Sequence, residues 1–176
     1  MALPPDVAEL LREQLGGRAV RFFGVGGGCI SQAGVVGFDD HPSVFVKWNP
    51  DAPPGLFDAE ARGLEELRST EAVRVPAVLA LRDGSDQATT PCIVLEFLEP
   101  GTRSVTAVRQ LGADLAALHR STSERFGFFS NNFIGRLPQS NREHESWAAF
   151  FCRERLDAQL SLGERAGWCG KEVARL

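Results

Sequence analysis

The chain has 176 residues, of which 43% are hydrophobic and 24% are charged, and its formal net charge is -4 at pH 7. Because acidic and basic residues are interleaved along the whole sequence, it lacks the basic stripe that marks a surface for nucleic acid or for a membrane. These values predict a globular protein of one domain, or of two small lobes that share a cleft, with a small-molecule substrate.

The N-terminal residues carry no recognisable secretion signal, and no stretch reaches the length of a membrane span, so we expect a cytoplasmic protein. The cysteines are widely spaced and form no C-x-x-C pair, which argues against a zinc site and against a disulfide framework. They are Cys29, Cys92, Cys152 and Cys169. We therefore expect mostly reduced thiols and no metal bound by this chain.

A first helix is predicted between Pro5 and the pair Gly16-Gly17, because apolar residues recur at helical spacing at Val7, Leu10, Leu11 and Leu15. Three β-branched or aromatic runs then predict strands, at residues 19–25, 30–38 and 44–48. Glycines separate the first two runs, and a turn at residues 39–42 separates the next two. The pattern predicts a three-stranded meander with a glycine-rich first turn.

A second helix is predicted over FDAEARGLEEL, where Phe57, Ala61, Leu64 and Leu67 share one face and Glu60 lies beside it. Two more strands follow at residues 78–81 and 93–98, which gives the order β, β, β, α, β, β. Beyond Pro100-Gly101 the spacing becomes helical, with Ser104 as the N-cap of a third helix. A loop-rich insert, FGFFSNNFIGRLPQSN, leads to a helix with apolar residues Trp147, Phe150, Phe151, Leu156 and Leu160, and another helix starts at Arg165.

Three glycine-rich motifs could account for the segment Gly24-Val25-Gly26-Gly27-Gly28-Cys29-Ile30-Ser31. A Walker loop requires Gly-Lys-Ser/Thr, which is absent, and a dinucleotide fingerprint requires a helix where a strand is predicted here. A glycine-rich β-turn remains, and it lets backbone N–H groups approach triphosphate oxygens because no Cβ intervenes. A flexible hairpin turn without a ligand fits the same residues.

Lys47 is a lone cation in an apolar strand, and Glu60 follows on the next helix. In protein-kinase-like folds a strand lysine holds the α- and β-phosphates of ATP, and a helix glutamate braces it. The alternatives are an edge-strand lysine that extends to water and a solvated glutamate. The strand CIVLEFLEPG would offer backbone groups of Glu96, Phe97 and Leu98 to the adenine edge, or it is a core strand that ends in a turn.

The sequence resembles the fructosamine or ketosamine kinase family in eight segments, which occur in the family's order between Gly24 and Leu160. They are GGGCIS, VFVKWN, FDAEARGLEEL, RVPAVLAL, IVLEFLEPG, LGADLAALH, FGFFSNNFIGRLPQSN and WAAFFCRERLDAQL. The resemblance implies an α+β, protein-kinase-like fold of the aminoglycoside phosphotransferase branch. An antiparallel five-stranded lobe with one helix would occupy residues 1–100, and an incomplete helical lobe would occupy residues 101–176.

The resemblance also implies a reaction, the transfer of the γ-phosphate of ATP, with Mg²⁺, to O3 of a ketoamine sugar, which leads to deglycation of the amine. Carried over residue by residue, it implies nucleotide contacts for Gly26, Gly27, Gly28, Cys29, Ile30, Lys47, Glu60, Glu96, Phe97 and Leu98. The insert, with Phe126-Gly127-Phe128 and Pro138-Gln139-Ser140-Asn141, shapes the acceptor side of the cleft or is a structural connector.

The family's His-Gly-Asp loop, its following Asn and its Asp-Pro pair supply the catalytic carboxylate and the Mg²⁺ ligands, and this sequence contains none of them. We therefore expect no catalytic residue in the chain, with Asp157 on the surface and His119 satisfying the last carbonyl groups of a helix. The chain is predicted to be inactive by itself, as a fragment or a prematurely ended reading frame.

Other interpretations stay open. Cys29, among backbone N–H donors, would respond to oxidants through an intermolecular disulfide, or it is a small side chain tolerated in a turn. A related kinase for an aminoglycoside, choline or homoserine has the same nucleotide elements, and a pseudokinase-like interaction module is a non-catalytic alternative. Exposed apolar residues of the second lobe, such as Trp147, Phe150 and Phe151, predict self-association, for example as a homodimer.

Overall fold

The computed structural model describes residues 2–26, 30–84 and 88–168. The chain divides into two compact units, Met1–Ser121 and Thr122–Leu176. The helices and strands that the described residues form in the first unit are α1 (Pro5–Leu15), β1 (Ala19–Val25), β2 (Gln32–Phe38), β3 (Val44–Trp48), α2 (Leu56–Ser69), β4 (Val78–Arg82), β5 (Cys92–Glu96) and α3 (Val105–Leu118). The division into lobes after residue 100 stays a prediction.

The strands of the first unit form one antiparallel sheet in the order β1-β2-β3-β5-β4. The predicted meander of the first three strands is confirmed, and so is the sequence of three strands, one helix and two strands. The fifth strand, β5, pairs with both β3 and β4 and lies between them. Because β3 therefore has a hydrogen-bonded neighbour on each side, Lys47 lies inside the sheet and is not an edge-strand lysine.

Helix α1 covers one face of the sheet. Its three buried residues, Val7, Leu10 and Leu11, follow each other at helical spacing and therefore share one side of the helix. They pack in a single core with the alternate β3 residues Val44, Val46 and Trp48. Full burial of one such apolar side chain stabilises the fold by roughly 1.5–3 kcal/mol.

Helix α2 covers part of the opposite face. Phe57 is fully buried there against Ile93 and Leu95 of β5, with Phe45 packed beside them. The helix contacts β4 and β5, whereas Phe23 on β1, at the other edge of the sheet, is 59% exposed. This face is therefore closed at one side of the sheet and open at the other.

The carboxylate of Asp6 fastens the start of α1 to the sheet. Thr90 donates to it from its backbone N–H at 2.6 Å and from its hydroxyl at 3.1 Å, and Arg82 Nη1 donates at 3.1 Å. Burial raises the pKa of Asp6, but the hydrogen bonds from Thr90 and the charge of Arg82 outweigh it, so the pKa lies below its usual value.

Helix α3 begins at the predicted cap, because Ser104 Oγ accepts a hydrogen bond from the N–H of Ala107 at 3.1 Å. None of its residues is buried. Its apolar residues Val105, Val108, Leu111 and Leu115 are all exposed. In the described part of the chain, no helix is long and apolar enough to cross a bilayer.

The second unit contains a short hairpin of β6 (Asn132–Ile134) and β7 (Leu137–Gln139). A helical stretch follows, made of α4 (Trp147–Phe151), a π-helical segment (Cys152–Asp157) and α5 (Ala158–Arg165). Trp147 and Phe151 are exposed as expected, whereas Phe150 is buried, because it packs against Trp147 and the guanidinium of Arg155. The hairpin was not predicted, because runs of three residues are too short to show an alternating pattern. The predicted further helix from Arg165 falls mainly on residues 169–176, which lie outside the described residues.

Replacing Asp6 by Asn should destabilise the fold at neutral pH and have less effect in acid. The lost charge-assisted hydrogen bonds should lower the free energy of unfolding at pH 7 by about 1–3 kcal/mol. A carboxylate with a lowered folded pKa stabilises above its unfolded pKa of about 3.9 and loses this effect as the pH falls through the folded value. Urea denaturation between pH 7 and pH 3 tests this, with the exposed Asp39→Asn as control, and a constant difference from wild type would contradict it.

Candidate functional site

Lys47 and Glu60 form the centre of the candidate site. Lys47 Nζ lies 2.7 Å from each carboxylate oxygen of Glu60 and donates to both, and the two side chains are 29% and 30% exposed. Glu60 follows Phe57 by three residues, so the buried phenylalanine directs the glutamate towards the same face of the sheet. The predicted pairing is confirmed, and phosphate binding by Lys47 stays a prediction.

The geometry of the pair leaves the lysine able to bind a further anion. An ammonium group has three N–H donors and no acceptor. Both carboxylate oxygens lie at hydrogen-bonding distance, so Glu60 holds the ammonium in place and offsets the cost of burying part of its charge. A remaining donor and the partly exposed position suit a ligand oxygen.

An apolar surface adjoins Lys47 on the same face. The strand register aligns Phe23, Val35 and Phe45 in one row and Val25, Ala33 and Lys47 in the next. Phe23 is 59% exposed and Val25 is 41% exposed. This surface was not predicted from the sequence, because alternation within one strand does not say which residues of two strands lie side by side. A flat apolar surface beside a cation suits an aromatic base attached to phosphate.

The glycine-rich segment is described only at its two ends. Gly26 follows β1 and is exposed, and Ile30 precedes β2, which begins at Gln32 and not at Ile30 as predicted. Gly27, Gly28 and Cys29 lie outside the described residues, and with them the predicted phosphate-binding turn and the redox hypothesis for Cys29.

Asn49 is a buried polar residue that the sequence analysis missed. It follows the last residue of β3 and is 4% exposed. Its Nδ2 donates to the carbonyl oxygen of Ile30 at 3.0 Å, and its Oδ1 accepts from the N–H of Asp51 at 2.9 Å. Its own N–H donates to the carbonyl oxygen of Pro91 at 3.1 Å. The sequence signal that could have identified Asn49 is a polar residue directly after an apolar strand.

The predicted adenine-contacting segment begins at Glu96, the last residue of β5. Its carboxylate accepts from Arg74 Nη2 at 2.8 Å and from the N–H of Ala77 at 3.3 Å. These hydrogen bonds, that from Arg74 first, hold the pKa of Glu96 below its usual value. Its own N–H donates to the carbonyl oxygen of Ala77 at 2.8 Å. Within the described residues, the N–H groups of Phe97 and Leu98 have no such partner.

Glu96 lies on the sheet face opposite to Lys47, because it pairs with Val44 and Val44 belongs to the core beneath α1. A cavity of about 650 Å³ lies on this opposite side, lined by Leu15, His41, Pro42, Ser43, Val44, Arg74, Leu79, Glu96, Phe97 and Glu99. The carboxylate of Glu96 is therefore used to fasten the end of β5, and only backbone groups of this segment are left for a base.

Three further residues are two exposed side chains, His119 and Asp157, and one core side chain, Cys92. His119 follows the last residue of α3 and is exposed, and its backbone N–H donates to the carbonyl oxygen of Leu115 at 3.0 Å. Asp157 is exposed, as expected of a surface residue. Cys92 is buried, and burial raises the pKa of its thiol to about 11. This thiol therefore stays protonated at neutral pH and is a core side chain.

The insert is a packed element with its own polar network. Phe126 and His144 exchange two backbone hydrogen bonds, at 2.9 and 2.8 Å. His144 Nε2 lies 2.8 Å from Glu154 Oε1, and both side chains are buried. Hydrogen bonds from Ser140 and His144 hold the pKa of Glu154 below its usual value, although burial raises it.

Arg155 joins the same network. It donates to the carbonyl oxygen of Ser140 at 2.7 Å and to Asn141 Oδ1 at 2.5 Å, and its guanidinium lies 4.5 Å from the centre of the Phe150 ring. These contacts are of the kind expected of a structural connector. A role in binding the acceptor stays a prediction.

Residues 2–26, 30–84 and 88–168 contain no group of three or more His, Cys, Asp or Glu side chains that could hold a metal ion. Mg²⁺ at a nucleotide site is commonly held by one or two carboxylates together with phosphate oxygens, and no Mg²⁺ ligand is assigned to these residues.

Known proteins of similar sequence and structure are kinases. Residues 4–176 match the family model described as fructosamine kinase. A probable ketoamine kinase of Synechocystis is 41% identical over 142 residues, which cover 80% of this chain and 47% of the relative. A crystal structure provisionally named a fructosamine-3-kinase, from Thermobifida fusca, has a TM-score of 0.80 at 27% identity, with 96% of this chain and 57% of that chain covered.

A more distant structure shows the fold alone. An aminoglycoside phosphotransferase, crystallised with AMP-PNP and hygromycin B, has a TM-score of 0.56 at 17% identity, with 97% of this chain and 55% of that chain covered. The expected α+β, kinase-like fold is thereby confirmed. The chain spans about half the length of the curated relatives that it matches, 42% and 47% for two of them.

A double-mutant cycle on Lys47→Met and Glu60→Gln should give a coupling free energy of about 1 kcal/mol, because the pair is partly buried and has two short contacts. Urea denaturation of the wild type, both single variants and the double variant measures it. The exposed pair Arg12 and Glu9, whose side chains are 66% and 63% exposed, is the control and should couple by less than about 0.5 kcal/mol. Equal coupling in the two pairs would contradict the expectation.

Proposed function

Because the chain belongs to the fructosamine kinase family, we propose that it forms the ATP-binding part of a phosphotransferase for ketoamine sugars. The observation that carries the proposal is the Lys47–Glu60 pair, at 2.7 Å, beside the apolar surface of Phe23, Val25 and Phe45. A half-buried lysine inside a sheet is costly unless it is paired. Anion binding at the open side of the pair gives a reason for keeping it there.

Each part of the site has a role in the proposal. Lys47 would bind phosphate oxygens, and Glu60 would hold its ammonium group extended and fixed. The surface of Phe23, Val25 and Phe45 would contact the adenine ring, whose edge would bind the backbone N–H groups that follow Glu96. When bound, ATP supplies the γ-phosphoryl group that family members transfer to the O3 hydroxyl of a ketoamine.

The carboxylates that transfer requires are a separate matter. Phosphoryl transfer needs a group that orients the acceptor hydroxyl and ligands for Mg²⁺. The His-Gly-Asp and Asp-Pro motifs are not among the 176 residues, and we propose that both functions are supplied outside them. The acceptor, a fructosamine, a ribulosamine or a small ketoamine, would likewise be selected mainly outside this chain.

Two other functions share the nucleotide elements or the fold. A kinase for an aminoglycoside, choline or homoserine would use the same lysine and glutamate, but the family match over residues 4–176 favours a ketoamine. A non-catalytic interaction module is favoured by the exposed apolar residues of α3, of which Val105 is 70% exposed and Leu111 is 59% exposed.

The wild-type chain should bind ATP, and Lys47→Met should weaken binding about 10- to 100-fold, which is the effect of losing a charge-assisted hydrogen bond to phosphate. Isothermal titration calorimetry measures the dissociation constants. Arg12→Ala removes one positive charge from α1, on the other face of the sheet, and should leave binding unchanged. Absence of ATP binding by the wild type would reject the kinase proposal and favour the interaction module.

The 176-residue chain by itself should show no ATP-dependent phosphorylation of a ketoamine, because the transferring carboxylate and the Mg²⁺ ligands are absent from it. Mass spectrometry of a glycated peptide incubated with ATP and Mg²⁺ measures transfer. The positive controls are the full-length Synechocystis relative and a chimera that joins this chain to the second half of that relative. Measurable turnover by the chain alone would contradict the expectation.

A further inference from the structure

The amide of Asn49 links the residue after the glycine-rich segment to the strand that carries Lys47. Asn49 lies two residues beyond Lys47 and is 4% exposed. Its Nδ2 donates to the carbonyl oxygen of Ile30 at 3.0 Å. Ile30 itself is 38% exposed, so the link runs from a buried amide to a residue at the surface.

An amide is suited to this position by its chemistry. The Ile30 carbonyl can only accept a hydrogen bond, and the N–H of Asp51 can only donate one. Asn49 satisfies both, with an Oδ1 to N distance of 2.9 Å on the second side. A carboxylate lacks the donor, and a serine hydroxyl is one bond shorter and cannot reach Ile30.

A third bond fixes the backbone of Asn49. Its N–H donates to the carbonyl oxygen of Pro91 at 3.1 Å, next to the start of β5. Both the main chain and the side chain of Asn49 are therefore held by hydrogen bonds. A residue fixed in this way holds the groups that it binds in a fixed position.

We propose that Asn49 is a positioning residue of the nucleotide site, whose amide holds Ile30 at a set place relative to Lys47. Phosphate oxygens would then meet the backbone N–H of Ile30 and the ammonium of Lys47 in one fixed arrangement. Fixing the groups before the ligand arrives reduces the entropy lost on binding. The inference rests on the proposed binding of ATP.

The test compares a ligand that has phosphates with one that does not. Asn49→Ser is neutral, keeps an acceptor for Asp51 and removes the bond to Ile30. ATP binding should weaken about five- to tenfold, the effect of one buried hydrogen bond, while adenosine binding should not change. Calorimetry measures ATP, and NMR titration of the full chain measures the weaker ligand adenosine.

The matched control is Asn141→Ser in the second unit. Asn141 is 2% exposed, and its Nδ2 donates to the carbonyl oxygen of Ser130 at 2.9 Å. This variant loses the same kind of bond and also the contact of Asn141 with Arg155, so it should be destabilised at least as much as Asn49→Ser, with the ratio of ATP to adenosine affinity unchanged. A purely structural role of Asn49 would give the same result in both variants.

A second variant covers the case in which Asn49→Ser does not fold, as judged by circular dichroism. Asn49→Thr is also neutral, keeps a hydroxyl acceptor for Asp51 and lacks the amide donor, so it should show the same selective loss of ATP affinity. Equal weakening of ATP and adenosine, or no weakening of either, would overturn the inference. If the wild type binds no ATP, both the proposed function and this inference fail. If the wild type binds ATP and the Asn49 variants bind it equally well, the inference alone fails.

Discussion

The ion pair of Lys47 and Glu60 is the interaction on which the candidate site depends. Side chains alternate along β3, so Val44, Val46 and Trp48 enter the core beneath α1, and Lys47 has to lie on the opposite face. Its cross-strand partners on that face, Ala33 and Ile93, are apolar, and a lone ammonium would be poorly solvated there. The carboxylate of Glu60 compensates for this, and it is available because Phe57 anchors α2 one turn earlier. The packing of Phe57 against the sheet therefore also fixes the position of the Glu60 carboxylate.

Buried or partly buried polar side chains fasten the segments around this pair. Asn49 links the residue after the glycine-rich segment to the end of β3, Glu96 links the end of β5 to the loop before β4, and Asp6 links α1 to the residues before β5. Each of these side chains forms a hydrogen bond with at least one backbone N–H or C=O group. Buried backbone groups need such a partner. The consequence is a sheet whose strand ends, and not only its strands, have fixed positions.

The second unit has a different construction. Its insert is held by polar contacts from Glu154 and Arg155, consecutive residues of the π-helical segment, and several of its aromatic side chains remain exposed. π-helical turns occur often at functional sites, but here both residues are used to satisfy His144, Ser140 and Asn141. The insert is therefore held by a polar network of its own.

The sequence by itself determined the elements that local patterns encode. Helical spacing of Val7, Leu10 and Leu11, alternation in β3 and the cap at Ser104 are properties of neighbouring residues, and the order of Lys47 and Glu60 along the family's segments predicted their contact. Only the tertiary structure decided that β5 lies between β3 and β4, that Asn49 reaches Ile30 and that Thr90 binds Asp6, 84 residues away. Such contacts join residues distant in the chain, and they exist because the strands and helices pack in one arrangement, which no local periodicity specifies.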